Sequence, residues 1–336
     1  MSRSVRYLSM AIGLLLAAPA SWACDSCSIY HSLEQRVPKA KTLHLSVTEQ
    51  FTEYGKLQQG GTFVPNTFHQ RLDSSQTIVS ASYDFSDRLS LEGSLPYINR
   101  RYTTLDGHEV KRGTEAGIGD LTTLIMYVPY RSMEQDSSLV VQLFGGFKLP
   151  SGSASALESE SEEEHVDEHE EEADEHAHSL RHGDASEGSA IHGHDLALGS
   201  GSVDVPFGAA VFVREGRFYA EANTEYTIRT EGEYNYRYAN ELLWRVGPAY
   251  YVVLHRDLNI ATKLNLSGQY KGKDKVNGEN ENDTGLNAVY WGPEIIATVG
   301  ENFGTFLSYD MPLEIENSGL QAVMSYRLRG GIRYRF

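Results

Sequence analysis

From residue 42 to the C-terminus, apolar and polar side chains alternate with a period of two in run after run. In the first run Leu43, Leu45, Val47 and Phe51 share one parity, and His44, Ser46, Thr48, Gln50 and Thr52 share the other. Successive side chains of a strand point to opposite faces, so this run is a strand with one apolar and one polar face. The same pattern predicts strands at 42–54, 74–85, 88–103, 117–130, 137–150, 201–214, 216–230, 236–253, 257–271, 287–299, 302–314 and 320–336, twelve in all. The last is the most legible, with Met324, Tyr326, Leu328, Ile332, Tyr334 and Phe336 opposite Ser325, Arg327, Arg329, Arg333 and Arg335.

A soluble sandwich would alternate in the same way, so the connections have to discriminate. Short joints at 86–87, 130–135, 214–216, 255–257 and 300–301 interleave strictly with longer ones at 55–72, 105–116, 151–199, 231–235, 272–286 and 316–319. An up-and-down barrel with short turns at one rim and long loops at the other requires that interleaving. The fold class read from the chain is therefore all-β: a transmembrane antiparallel barrel of about 12 strands over 42–336, with one long acidic, His-rich extracellular loop at 151–198. An even strand count puts both termini on the periplasmic side. The aromatic C-terminus, Tyr334-Arg335-Phe336, also fits a last barrel strand.

The N-terminus agrees with export. Arg3 and Arg6 precede the apolar run Leu8 to Ala18, and Ser21-Trp22-Ala23 reads as a cleavage site, so residues 1–23 form a signal peptide. No later stretch reaches about eighteen apolar residues, which excludes helical spans. The expected location is the outer membrane of a Gram-negative cell, with outer-membrane lipid as the first partner. Residues 24–41 form a periplasmic lead carrying the chain's two cysteines, Cys24 and Cys27, with His31 four positions on. Two thiolates and an imidazole at that spacing could hold Cu or Zn. A Cys24–Cys27 disulfide is the plainer reading in an oxidising compartment. Acylation of Cys24 is disfavoured by Ser21, which stands where lipobox signals carry an apolar residue.

Charge is concentrated in one place. The chain carries −17, and residues 151–198 hold fifteen acids against the single base Arg181. A basic nucleic-acid footprint is absent. Seven of the twelve histidines sit in that loop: His165, His169, His176, His178, His182, His192 and His194. Imidazole suits transition metals, and a field of carboxylates concentrates cations. No tightly bound cofactor is expected, while Zn, Cu, Ni or Co ions are candidates for this loop. The competing reading is a solvated, repulsive, disordered brush. His165-Val166-Asp167-Glu168-His169 also matches the H-x-x-E-H pattern of inverted zinc peptidases, a match nearly expected by chance in a tract of His, Glu and Asp. No nucleophile elbow or phosphate loop appears, and the chain reads as a non-enzyme.

If the apolar parity faces lipid, the other parity lines the lumen with Glu221, Glu225, Arg229, Arg237, Glu241, Arg245, Lys263, Arg327, Arg329, Arg333 and Arg335. Mixed-sign charges of this kind can plug a lumen or line a water path. Tyr97, Tyr127, Tyr250, Trp244 and Trp291 read as girdle anchors.

Three short motifs on successive strands, Gly117-Ile118-Gly119-Asp120-Leu121, Lys148-Leu149-Pro150-Ser151-Gly152 and Gly199-Ser200-Gly201-Ser202-Val203-Asp204, carry a resemblance. In these the chain resembles the outer-membrane transporters of the meta-pathway of phenol degradation family, over most of its length after residue 23. The resemblance implies a barrel with a transport role. The His/acid insertion and the cysteine pair depart from that family's plain pattern, which turns the expected cargo from organic molecules towards transition-metal ions. A family-like channel for hydrophobic or aromatic compounds, and a closed surface-shielding barrel, are the alternatives. Nothing in the pattern fixes an oligomeric state.

Overall fold

The computed structural model describes residues 38–161 and 188–336, apart from His108, Gln135, Arg256 and the side chain of Asp106. Twelve antiparallel strand positions close on themselves: β1 (Thr42–Gln59), β2 (Arg71–Asp84), β3 (Leu89–Asp106), β4 in two pieces (Glu109–Ile118 and Leu121–Met133), β5 (Ser137–Leu149), β6 (Val205–Glu215), β7 (Phe218–Ile228), β8 (Glu241–His255), β9 (Leu258–Lys271), β10 (Leu286–Val299), β11 (Phe303–Asn317) and β12 (Leu320–Arg335). Closure comes from β1 pairing with β12, from His44↔Arg335 to Gln59↔Leu320. A closed sheet leaves no unpaired edge, which is what a spanning β-structure needs in hydrocarbon.

The alternation read from the sequence holds in space. One parity points outward and is half exposed in the isolated chain, as at Ile125 (57%), Leu264 (50%), Ile295 (53%) and Leu307 (55%). The opposite parity is buried and mostly polar, as at Gln50, Ser74, Glu92, Glu221, Lys263, Glu294 and Arg329. This is an inside-out soluble protein, with apolar side chains placed where lipid would cover them. Tyr83 and Phe85, Phe218 and Tyr250, and Tyr334 and Phe336 form ring pairs near the short-turn rim. Among the described residues no helix is long and apolar enough to cross a membrane.

Three strand expectations are corrected. The element expected at 117–130 starts earlier and is broken: both pieces of β4 pair with β3, Glu109–Ile118 along its long-loop half and Leu121–Met133 along the rest. The break falls at Gly119, where an added Cβ would lie 2.8 Å from Ile98 and 2.9 Å from Pro96. The strand expected at 201–214 begins only at Val205, because Gly201 takes a φ of +66° that ends extended backbone there. The strand expected at 236–253 begins at Glu241. Tyr236–Arg237 instead pairs with Lys275–Val276 in a small separate sheet that includes Glu279–Asn280.

Candidate functional site

The three glycine-bearing motifs meet at one point on the wall, where β4 breaks and β5 and β6 end. The Asp120 carboxylate accepts hydrogen bonds from the backbone N–H of Gly152 and of Ser200 and from the Ser200 hydroxyl, and pairs with Lys148 Nζ at 3.1 Å. Lys148 in turn exchanges backbone hydrogen bonds with Asp204. Asp204, fully buried, accepts from Ser202 Oγ and pairs with Arg229 at 2.7 Å. The glycines permit this approach: a Cβ on Gly199 would sit 2.5 Å from an Asp120 carboxylate oxygen, and one on Gly152 would sit 2.7 Å from the Leu198 carbonyl. Sequence reading placed the motifs on successive strands, but their convergence on Asp120 is a product of the fold.

From this node the flanks of the long loop turn inward. Residues 151–161 contain a 3-10 turn at Ser155–Leu157, and Gly193–Leu196 forms a single α-turn. Ala190, Ile191, Ala197 and Leu157 are buried. Leu157, Ala154 and Ala197 pack with Tyr236, Tyr238 and Val276 of the neighbouring long loops. Where the sequence suggested a loop with no core of its own, its flanks form a plug that borrows one from those loops. The plug is tied to widely separated strands. Gln70, just before β2, bonds Gly188 and Ala190, Thr104 of β3 donates to the Ile191 carbonyl, and Ala322 of β12 donates to the Ala190 carbonyl. Arg100 of β3 donates to the carbonyls of Asp195 and Ala197, both at 2.6 Å, and Tyr238 donates to the His194 carbonyl at 3.1 Å.

His194 is the buried centre of the plug. Its Nδ1 faces Glu160 at 3.2 Å, its Nε2 faces Asp195 at 3.6 Å, and its ring stacks on His192. Burial alone would lower the His194 pKa, but the carboxylates of Asp195 and Glu160 outweigh it and hold the value well above the usual imidazole range. Burial pushes Glu160 up, and the His194 charge and hydrogen bond, helped by His192, overcome that and bring it down to about 2. His192, His194 and Asp195 bring ligand atoms within 4.8 Å of one another, a donor set that fits a transition metal in type. These groups already face partners, His192 being 3.2 Å from Asp283, so a metal would have to displace ion pairs that hold the plug. The other metal-ligand expectations, at His165, His169, His176, His178, His182, Cys24, Cys27 and His31, lie outside the described residues, as does the H-x-x-E-H match.

Of the expected lumen residues, Glu221, Glu225, Arg229, Glu241, Arg245, Lys263, Arg327 and Arg329 are buried on the inward parity. They are knitted across strands. Lys263 bridges Glu221 and Glu294 at 2.9 Å each, and Arg229 joins Asp204 and Glu241. Arg245 lies 3.5 Å from Glu294 and 3.7 Å from Asp310, which also pairs with Arg329 at 2.7 Å. Arg333 and Arg335 line a cavity at the short-turn rim. Arg237 is the exception: it is exposed on the small sheet outside the barrel wall. Parity reading missed Asp120 and Asp204 because they stand just outside the strands, where period two lapses. Of the expected girdle anchors, Tyr97, Tyr127, Tyr250 and Trp291 face outward, and Trp244 is half-buried against Gly268, where a Cβ would sit 2.3 Å from its indole nitrogen.

Beneath the plug, against the node, lies a cavity of about 80 Å³. Pro96, Ile98, Ala197, Leu198 and Pro206 give it an apolar side, and Asp120, Lys148, Arg100, Glu225 and Arg229 a polar one.

No protein-family model matches the chain, and no curated protein matches it. Among solved structures it is similar to an outer membrane channel from Pseudomonas putida F1, at 16% identity and a TM-score of 0.58, over 94% of this chain and 100% of that one. It also aligns with the translocator domain of the autotransporter NalP from Neisseria meningitidis (11% identity, TM-score 0.45, 98% and 96% covered) and with the CymD monoaromatic hydrocarbon channel (9%, 0.35, 91% and 92%). The closed sheet and the likeness to the Pseudomonas putida channel give the chain the fold of an outer-membrane β-barrel.

Proposed function

We propose that the protein is an outer-membrane channel for a small hydrophobic or aromatic solute, with the long-loop rim facing outward and both termini periplasmic. The carrying observation is the state of the interior charges. The inward ion pairs Lys263–Glu221, Lys263–Glu294, Arg229–Asp204 and Arg329–Asp310 neutralise one another within the barrel, while the cavity beneath the plug offers an apolar wall of Pro96, Ile98, Leu198 and Pro206. Paired charges present little net field to a passing ion, and an apolar wall suits an organic solute. The fold shared with a solved outer-membrane channel and the motifs gathered at Asp120 support the same reading. Metal-ion handling, the cargo favoured by loop composition, gives way to it, because the described histidines of the loop are committed to the plug.

The test is initial uptake of a radiolabelled alkylphenol and of radioactive zinc by cells with an intact outer membrane, with and without the protein. Faster alkylphenol entry with unchanged zinc entry is expected. Equal alkylphenol rates sink the proposal, and faster zinc entry alone would reinstate the metal reading.

A further inference from the structure

The outward face is not uniform around the barrel. On β9 it carries no charge from Leu258 through Leu264 and Leu266 to Tyr270. On β1 the same parity runs Leu43, Leu45 and Val47 and is then interrupted, before Phe51, by Glu49, which accepts hydrogen bonds from Ser75 and Thr77 of β2. Six residues of a strand tilted by roughly 40° rise only about 15 Å, against an apolar band of about 25 Å. A carboxylate on the lipid side at that height draws polar headgroups down the wall, because bare hydrocarbon contact would leave the charge unsolvated.

Above this step three arginines gather on the same face. Arg71 of β2 and Arg112 of β4 stand opposite Thr103 of β3 from its two sides, and Arg101 precedes Thr103 by one outward position. Two strand spacings put the Cα atoms of Arg71 and Arg112 roughly 10 Å apart, with Arg101 diagonal to both, so three side chains of that length can converge on one anion. All three are exposed. Arg71 is held by Asp73 at 2.8 Å and Glu53 at 3.1 Å, which fixes one corner and occupies the nearby acids. Just below, a groove of about 400 Å³ runs along the wall between the rings of Phe51 and Tyr97, with Ser75, Thr77, Asn99 and Arg101 at its polar side and Asp73, already paired with Arg71, at its upper edge.

A groove walled by two rings that opens upward onto convergent guanidinium groups, beside the Glu49 step, matches a lipid with a phosphorylated headgroup. Its acyl chain would lie against Phe51 and Tyr97, and its phosphate would take bidentate hydrogen bonds from Arg101 and Arg112. The geometry points to a binding site for a phosphorylated glycolipid of the outer leaflet on the outer wall of β1–β4. This rests on the outward orientation proposed above, but the binding itself is independent of solute uptake, so either reading can fail alone.

The experiment is native mass spectrometry of the full chain after exchange into micelles of a zwitterionic lipid doped with diphosphorylated lipid A. Wild type is expected to retain one lipid A per barrel. Arg101→Gln with Arg112→Gln should lower that occupancy about tenfold or more, the loss of at least one charge-assisted phosphate contact. Arg101→Lys with Arg112→Lys should fall between, since it keeps the charge and loses the fork, and Lys273→Gln in a distant loop should match wild type. Heat-dependent gel mobility shows that each variant is a folded barrel. Undiminished occupancy in the double Gln variant overturns the proposal. So does full displacement by millimolar inorganic phosphate, which would make the site one for the free anion.

Discussion

The wall and the plug are both held by buried polar contacts, and they differ in what fixes those contacts. Inside the wall, Lys263, Glu221 and Glu294 sit on strands whose registers are set by continuous ladders, so the ion pairs follow once the strands pair. In the plug, Arg100 holds two carbonyls and Glu160 holds His194, and no ladder positions either loop partner. The lesson is that the wall can be broken only by destroying the barrel, whereas the plug can be released while the barrel stands.

Removing charge from the wall should therefore give the largest effect. Lys263→Met leaves Glu221 and Glu294 buried without their shared cation, and breaking a buried pair this way costs about 3–5 kcal/mol. The expected result is a marked drop in the temperature at which the protein loses its heat-modifiable gel mobility. An unchanged transition would mean that water reaches these carboxylates and that the interior is open at this level.

The contrast also accounts for what the sequence disclosed. Alternation in β12 assigned Arg327 and Arg329 inward and Tyr334 outward because a strand's period is independent of distant contacts. The same reading failed at Arg237, which alternates correctly but pairs with Lys275 in a sheet outside the wall. It also missed the break at Gly119, since the reason for that glycine is the approach of Pro96 and Ile98 from another strand. The plug was hidden for a further reason. Ala154, Leu157 and Ala197 are too few to form a core by themselves, and Tyr236, Tyr238 and Val276, distant in sequence, supply the other half.

Releasing the plug should give an intermediate effect. Arg100→Ala removes two hydrogen bonds from a charged donor, each worth about 1.5–3 kcal/mol when intact. Hydrogen exchange at Ala190, Leu198 and Gly199, whose N–H groups are bonded in the docked plug, should speed up about a hundredfold or more. Exchange in the β1–β12 ladder should stay as in wild type. Equal acceleration in both places would show that plug and wall form a single cooperative unit.

Acid should separate the two regions most gently. Glu160 has its pKa lowered to about 2 in the docked plug, so its contribution is present above the ordinary carboxylate value near 4.5 and is lost as pH falls towards 2. His194 is raised, so its contribution is complete below the ordinary imidazole range and is lost only as pH climbs through the elevated value. Both are therefore in place at neutral pH, and only Glu160 creates an acid edge. At pH 4 linkage gives about a fourfold increase in exchange at Leu198 and Gly199, after correction for the intrinsic pH dependence of exchange. Glu160→Gln should abolish that increase while raising exchange at neutral pH, because the amide cannot supply the charge that holds His194. An acid edge that survives in Glu160→Gln would assign it to other carboxylates.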